Sequence, residues 1–192
     1  MASLVLASTS PYRKQLLERL RVPFVCEAPG VDEAAVKAEL REPLAVVREL
    51  ARRKAQAVAG KHAGALVIGS DQVATLDGAI LDKPGTAAAA HAQLQRLQGQ
   101  EHQLLTAVAI VHPGGLCEFL DATFLRMRPL TTAEIERYVA ADQPLDCAGS
   151  YKIESLGVAL FSRVQGEDQT AVQGLPLLRL AQELRGLGLQ VP

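Results

Sequence analysis

Four stretches of the chain put hydroxyls, cations or carboxylates at predicted strand ends or in the loops beside a sheet: Ser8 with Arg13 and Lys14, Asp32 with Glu33, Asp71, and Lys83. Their spacing is too wide for a local motif, but α/β proteins gather such residues along one edge of the sheet. Together they contain what cleavage of a phosphoanhydride requires. Cations and helix N–H groups hold phosphates, carboxylates hold a divalent ion, and one carboxylate orients or deprotonates water. Asp71 is the leading candidate for that last role because it follows the most apolar run in the chain; the plain alternative is a turn or helix cap. Lys54 is marked by position instead, since it completes a helical stripe of Val47, Leu50, Ala51 and Val58. A cation on a face turned to the sheet is costly unless an anion meets it or its stem carries the charge to solvent. Arg13 falls in a first helical turn, the end where a cation is disfavoured without an anion, although a surface cation would read the same. Lys152 and Glu154 could pair simply as turn charges. Cys26, Cys117, Cys147 and the four histidines are scattered and read as structural or surface groups.

The elements that must position these residues follow from hydrophobic period and punctuation. Ser3–Ala7 reads as a first strand, followed by a Ser/Thr/Pro turn and a helix after Pro11 that turns Leu16, Leu17 and Leu20 to one face. That arrangement brings backbone N–H groups and cations to one end of a sheet, where phosphate can bind. Pro23–Cys26 reads as a second strand leading through 28–33 into an acidic turn, and Pro43–Ala59 as a long helix ended by Gly60. Ala65–Gly69 is the strongest strand, apolar without interruption as in strands buried on both faces. Ser70-Asp71-Gln72 ends it, and Val73–Leu76 and Ala79–Leu81 form a hairpin around Asp77-Gly78. Lys83-Pro84-Gly85 closes the hairpin, and Thr86 caps a helix to about Gln98.

Leu104–Val111 and Leu116–Arg128 read as strands around a Pro-Gly-Gly turn, followed by a short helix capped at Thr131 or Thr132. Ala148–Glu154 is a loop or strand, Val158–Val164 a strand, and Leu175–Leu184 a closing helix entered through Gly174 and Pro176.

A chain of 192 residues with 48% hydrophobic and 21% charged residues suits one globular domain over 1–192. Its formal net charge of -1 offers no global attraction to nucleic acid or an anionic membrane, so any phosphate must be held by local cations. Neither a nucleic-acid polymer nor a membrane is an expected partner. The cysteines form no disulfide ladder and no short-spaced zinc motif, which suits a reducing compartment such as the cytoplasm.

Taken in order, Leu6-Ala7-Ser8-Thr9-Ser10-Pro11-Tyr12-Arg13-Lys14, Val31-Asp32-Glu33, the lysine within 51–55, Gly69-Ser70-Asp71-Gln72, Asp82-Lys83-Pro84, Ala148-Gly149-Ser150-Tyr151-Lys152-Ile153-Glu154 and Gly174-Leu175-Pro176 resemble the Maf family of nucleotide pyrophosphatases. The likeness spans nearly the whole chain and is closest to the bacterial branch acting on 7-methyl-GTP. It implies an α/β fold like that of inosine triphosphate pyrophosphatases, with a mixed twisted sheet, flanking helices and two lobes around a central cleft. It also implies a nucleoside triphosphate substrate, a divalent cation such as Mg²⁺ or Mn²⁺, and the homodimer common in the family. By the same likeness Asp71 is the proton acceptor. Ser8, Arg13, Lys54 and Lys83 hold phosphates, and Glu33 joins Asp71 on the metal.

Lys14 stands where many members have a second arginine, and Asp82 where a glycine is common. Three positions divide the branches, here Tyr12, Gln72 and Glu154; the branch acting on dTTP and UTP has arginine, threonine and glutamine there. A methylated guanine is cationic and suits an aromatic face such as Tyr12, and Glu154 can accept from its N1–H and exocyclic amine. Gln72 can offer either a donor or an acceptor. The rival readings are a pyrophosphatase for dTTP, UTP or another modified nucleotide, and a nucleotide-binding regulator of cell division that does not hydrolyse.

Overall fold

In a computed structural model the described residues are 3–191; Met1, Ala2 and Pro192, the extreme ends of the predicted domain, lie outside them. In chain order the elements are β1 (Leu4–Leu6), α1 (Pro11–Glu18), β2 (Phe24–Cys26), α2 (Glu33–Glu39), α3 (Pro43–Ala59), β3 (Leu66–Leu76), β4 (Ala79–Leu81), α4 (Ala87–Leu97), β5 (Glu101–His112), β6 (Gly115–Met127), α5 (Thr132–Asp142), β7 (Phe161–Gln165) and α6 (Leu177–Gly186). The hydrogen-bonded strand order is β2-β1-β3-β5-β6-β7, with β4 also on β3. β1 pairs parallel with both β2 and β3, whereas β3–β4 and β6–β7 are antiparallel.

The chain divides into two compact units, one from Met1–Gln72, Thr106–Asp121 and Asp168–Pro192, the other from Val73–Leu105 and Ala122–Glu167. In the first, the two-residue period of the strands separates two apolar layers. Leu4, Leu6, Leu66 and Ile68 pack with Leu16 and Leu17 of α1 and Leu180 and Leu184 of α6. Val5, Ala7 and Val67 turn the other way and pack with Val58 of α3. The central strands are thus buried on both faces, as their unbroken apolar run predicts. A Cβ at Gly69 would overlap the Ala51 carbonyl oxygen and stand 2.5 Å from the Ala55 nitrogen, so α3 lies directly on the β3 backbone there.

In the second unit, the β3–β4 turn places Asp77 and Gly78 at φ 51° and 79°, the left-handed pair expected of a tight hairpin. Thr131 and Glu134 form a reciprocal capping box at the start of α5. His102 is buried with its ring 5.5 Å from that of Tyr151, which lies 4.8 Å from Phe161, and its Nε2 is 2.8 Å from the Tyr151 hydroxyl.

Three expectations are corrected. The segment after the acidic turn is helical: Asp32 accepts from the Ala35 N–H and caps α2, whose one fully buried side chain, Val36, leaves almost no periodic signal. Ser70, Asp71 and Gln72 lie inside β3 instead of ending it, because each polar side chain finds a partner. The last strand begins at Phe161, since Leu156–Leu160 form a 3-10 helix first. Among the described residues no helix is long and apolar enough to cross a membrane.

Gly69→Ala is expected to cost about 3 kcal/mol or more, because backbone and not a flexible side chain must give way; urea denaturation measures the loss. Burial pushes the His102 pKa down from 6.5 to about 4. Between those values the unfolded chain binds more protons than the folded one, so stability falls as pH drops through that window. A His102→Gln variant should lack about 3 kcal/mol of this dependence in denaturation curves taken from pH 7 to pH 4.

Candidate active site

Alternation along β3 sorts the site into two faces. Val67 and Gly69 lie against α3, and Asp71 continues that set; Ser70 and Gln72 turn to the opposite side with Leu66 and Ile68. Because α3 approaches so closely at Gly69, the residue beside Ala55 on the helix, Lys54, comes level with Asp71. Its Nζ lies 2.6 Å from Asp71 Oδ1 and 2.6 Å from Glu33 Oε1. The Asp32 cap starts α2 at Glu33, and α2 packs on α3, which carries the Glu33 carboxylate to the same ammonium.

Lys54 and Asp71 are 5% and 6% exposed, whereas the Glu33 side chain stays 44% open. The anion demanded by a lysine on a buried stripe is therefore present twice. Arg13 joins the group electrostatically: burial lowers its pKa from the ordinary arginine value, while the charges of Asp71 and Glu33 act to raise it.

On the other face, the carbonyl of Gly174 accepts from Arg13 Nε and from Ser70 Oγ, each at 3.0 Å. Gly174 has φ 104°, and a Cβ there would sit 3.4 Å from Arg13 Nε. The Gln72 amide nitrogen donates to Ala171 O at 2.8 Å and Thr106 Oγ1 at 2.9 Å, and Thr106 Oγ1 itself donates to Ala171 O at 3.1 Å. Buried Asp168 holds the segment that presents these carbonyls. One of its oxygens accepts from the Thr170 backbone and lies 2.7 Å from the Thr170 hydroxyl; the other accepts from Leu178 N at 2.6 Å. Sequence reasoning missed Thr106, Asp168 and Thr170, and used Gly174 as a helix entry and as part of the family motif, not as a carbonyl that orients Arg13 and Ser70. Gly174 before Pro176 was the one available signal, a left-handed glycine just ahead of a helix.

At the end of β1, Ser8 is 5% exposed and its Oγ accepts from Ser10 N. Ser10 caps α1 by accepting from Arg13 N, and Tyr12 is half-buried in the first turn. Seven predicted site residues, Ser8, Tyr12, Arg13, Glu33, Lys54, Asp71 and Gln72, thus belong to the first unit, and Glu33, Lys54 and Asp71 are in direct contact. Lys83 and Glu154 belong to the second, both exposed. The loop around Glu154 is tied to α5: Lys152 N donates to the Tyr138 hydroxyl at 2.9 Å, and Gly157 N to Asp142 at 3.1 Å. Lys152 pairs with Asp146 at 3.7 Å, which corrects the simple pairing with Glu154.

Among the described residues no cluster of three or more His, Cys, Asp or Glu is assembled for a metal. The two carboxylates that do converge, Glu33 and Asp71, match a hard cation that takes one or two protein carboxylates and fills its remaining positions with phosphate oxygens and water.

A family model described as "Maf-like protein" matches residues 3–187. A 7-methyl-GTP pyrophosphatase of Xanthomonas oryzae pv. oryzae is 50% identical over 192 residues, covering 100% of both chains. Another, of Pseudomonas syringae pv. tomato, is 48% identical over 194 residues with the same coverage. Among solved structures, a nucleoside-triphosphatase / dITP/XTP pyrophosphatase from Mycobacterium abscessus has a TM-score of 0.50 at 18% identity, covering 97% of this chain and 95% of that one. At that identity the likeness concerns the fold, and it agrees with the mixed α/β, inosine triphosphate pyrophosphatase-like class expected from the sequence.

Removing the shared cation tests the pairing itself. Lys54→Met should destabilise the protein by about 3 kcal/mol, because Asp71 is left buried without its counter-charge. Adding Asp71→Asn should recover much of that loss in a double-mutant cycle read by urea denaturation.

Proposed function

The chain belongs to the Maf-like protein family, and on that premise we propose that it hydrolyses a nucleoside triphosphate, 7-methyl-GTP, to the nucleoside monophosphate and pyrophosphate. The observation that carries the reading is the buried Lys54 ammonium held between Glu33 and Asp71 at 2.6 Å each. An ammonium has three N–H donors. Two point at carboxylates, and the third is available to a phosphate oxygen.

In this reading Asp71 takes a proton from a water molecule as the water oxygen bonds to the α phosphorus. The bond from that phosphorus to the bridging oxygen breaks, and pyrophosphate leaves with the electron pair. Ser8, Arg13, Lys54 and Lys83 hold phosphate oxygens and offset the charge that develops on them. Arg13 is suited to this because Gly174 takes only its Nε–H, leaving the terminal N–H groups of the guanidinium for an anion. Glu33 and Asp71 would hold Mg²⁺ or Mn²⁺, which when bound supplies positive charge against the phosphate oxygens.

Tyr12 offers an aromatic face to the cationic methylated ring. Glu154 accepts from the guanine N1–H and exocyclic amine, and Gln72 meets the base edge. The roles of Lys83 and Glu154 rest on the likeness of their motifs to the family. Free Cys26, Cys117 and Cys147 suit a reducing cytoplasm, and the resemblance supports a homodimer.

Asp71→Asn is expected to lower pyrophosphate release by roughly 10²–10⁴-fold, the range for losing a positioned general base, with the circular dichroism spectrum unchanged. Turnover near that of the wild type would remove Asp71 from the mechanism. Across a nucleotide panel 7-methyl-GTP should be the best substrate; preference for UTP would overturn the base assignment while leaving the hydrolysis itself standing.

A further inference from the structure

A glutamine is an ambiguous reader, because its amide can turn either a donor or an acceptor toward a ligand. At Gln72 the surroundings remove that ambiguity. Its nitrogen faces Ala171 O at 2.8 Å, Thr106 Oγ1 at 2.9 Å and, more distantly, Val172 O at 3.4 Å. Two of these are backbone carbonyls, which only accept. Thr106 is made an acceptor as well, because its own hydroxyl proton is given to Ala171 O at 3.1 Å. A rotated amide would bring its carbonyl against Ala171 O and Val172 O, and could gain the Thr106 proton only by taking it from Ala171 O, so one orientation is favoured and Oε1 is left as the atom for a ligand.

The lock is itself held in place. Thr106 is 1% exposed in β5, and Ala171 N donates to Asp168 O at 3.0 Å. Asp168 and Thr170 then secure the following turn through Leu175, Leu177 and Leu178.

Resting on the proposed nucleotide hydrolysis, we infer that Thr106 is a specificity-determining residue that acts through Gln72, holding its amide as an acceptor and so rejecting bases that present a carbonyl at that edge. Guanine's exocyclic amine has a second N–H beyond the one given to Glu154, and this donor can meet Oε1 at the end of the edge away from the O6 carbonyl. Uracil presents carbonyls on either side of its N3–H, and an acceptor facing a carbonyl leaves both lone pairs unpaired. Without the Thr106 hydroxyl the amide keeps only its backbone-carbonyl partners, so turning its N–H groups outward costs one hydrogen bond less and a pyrimidine is accepted more readily. Thr106 touches no substrate and is a positioning residue.

The experiment compares kcat/KM for 7-methyl-GTP and UTP in the wild type, Thr106→Val and Thr106→Ser. The ratio should fall about tenfold in Thr106→Val, the size of one hydrogen bond, chiefly through a lower KM for UTP. It should return in Thr106→Ser, which keeps the hydroxyl; an unchanged ratio in Thr106→Val overturns the inference. A second measurement needs no turnover. In the wild type the two Gln72 side-chain amide protons, followed by NMR, should exchange slowly with solvent; fast exchange there also overturns the lock, even if Thr106→Val does not fold. A wild type that prefers UTP while Gln72 stays protected would refute the proposed base and spare the lock.

Discussion

A lysine ammonium buried to 5% exposure between two carboxylates is the constraint around which the first unit is arranged. Alone, that charge would be intolerable in the layer between α3 and the sheet. Its neutralisation requires β3 to present an aspartate on its α3 face and α2 to begin at Glu33. It also requires α3 to lie close enough for a side chain on one helical turn to reach both, and Gly69 supplies the closeness. With no side chain at that point, the helix backbone rests on the strand backbone, and Lys54 and Asp71 meet without either leaving its layer. A packing detail and an electrostatic one are the same feature seen from two sides.

The opposite face of β3 uses backbone carbonyls where the first uses carboxylates. Gly174 O and Ala171 O receive donors from Arg13, Ser70, Gln72 and Thr106. Carbonyls orient these groups without cancelling a charge, so Arg13 keeps its full positive charge while its side chain is fixed. That division would suit the polyanion site proposed above, with charge paired between α3 and the sheet and aimed where the nucleotide would meet it.

Most of the scaffold was legible because its signals are local. The bounds of α3 follow from Pro43 near its start and an apolar stripe running to Val58, and α4 and α5 from their threonine caps. Lys54 was legible by inconsistency, as a cation on an apolar stripe. Glu33 was named, but α2 was not, since a helix with one buried residue carries little period. The continuation of β3 through Ser70-Asp71-Gln72 was hidden because polar residues end a strand only when they lack partners. Those partners come from residues 54, 106, 171 and 174, distant in sequence. Asp168 and Thr170 were invisible for the same reason. Nothing in GEDQT tells a reader that its aspartate is buried, and its value lies in where it puts two carbonyls.

Charge balance sets the terms on which such a site can accept a triphosphate. Lys54 and Arg13 together offset Glu33 and Asp71, so the cluster is formally neutral before any substrate arrives. A triphosphate adds several negative charges, and placing them beside two carboxylates without compensation would be repulsive at short range. Two responses are open to these residues. Lys54 can transfer part of its hydrogen bonding from carboxylate to phosphate, or further positive charge can enter with the nucleotide and be shared by the carboxylates so released. The first alone would strand Asp71, 6% exposed, beside a polyanion. With the second, Glu33 and Asp71 would remain paired while Lys54 turned its third N–H outward. The half-open carboxylate of Glu33 is then the natural point of entry for that charge, which gives a chemical reason for one member of the triad to stay near solvent while the other two are buried.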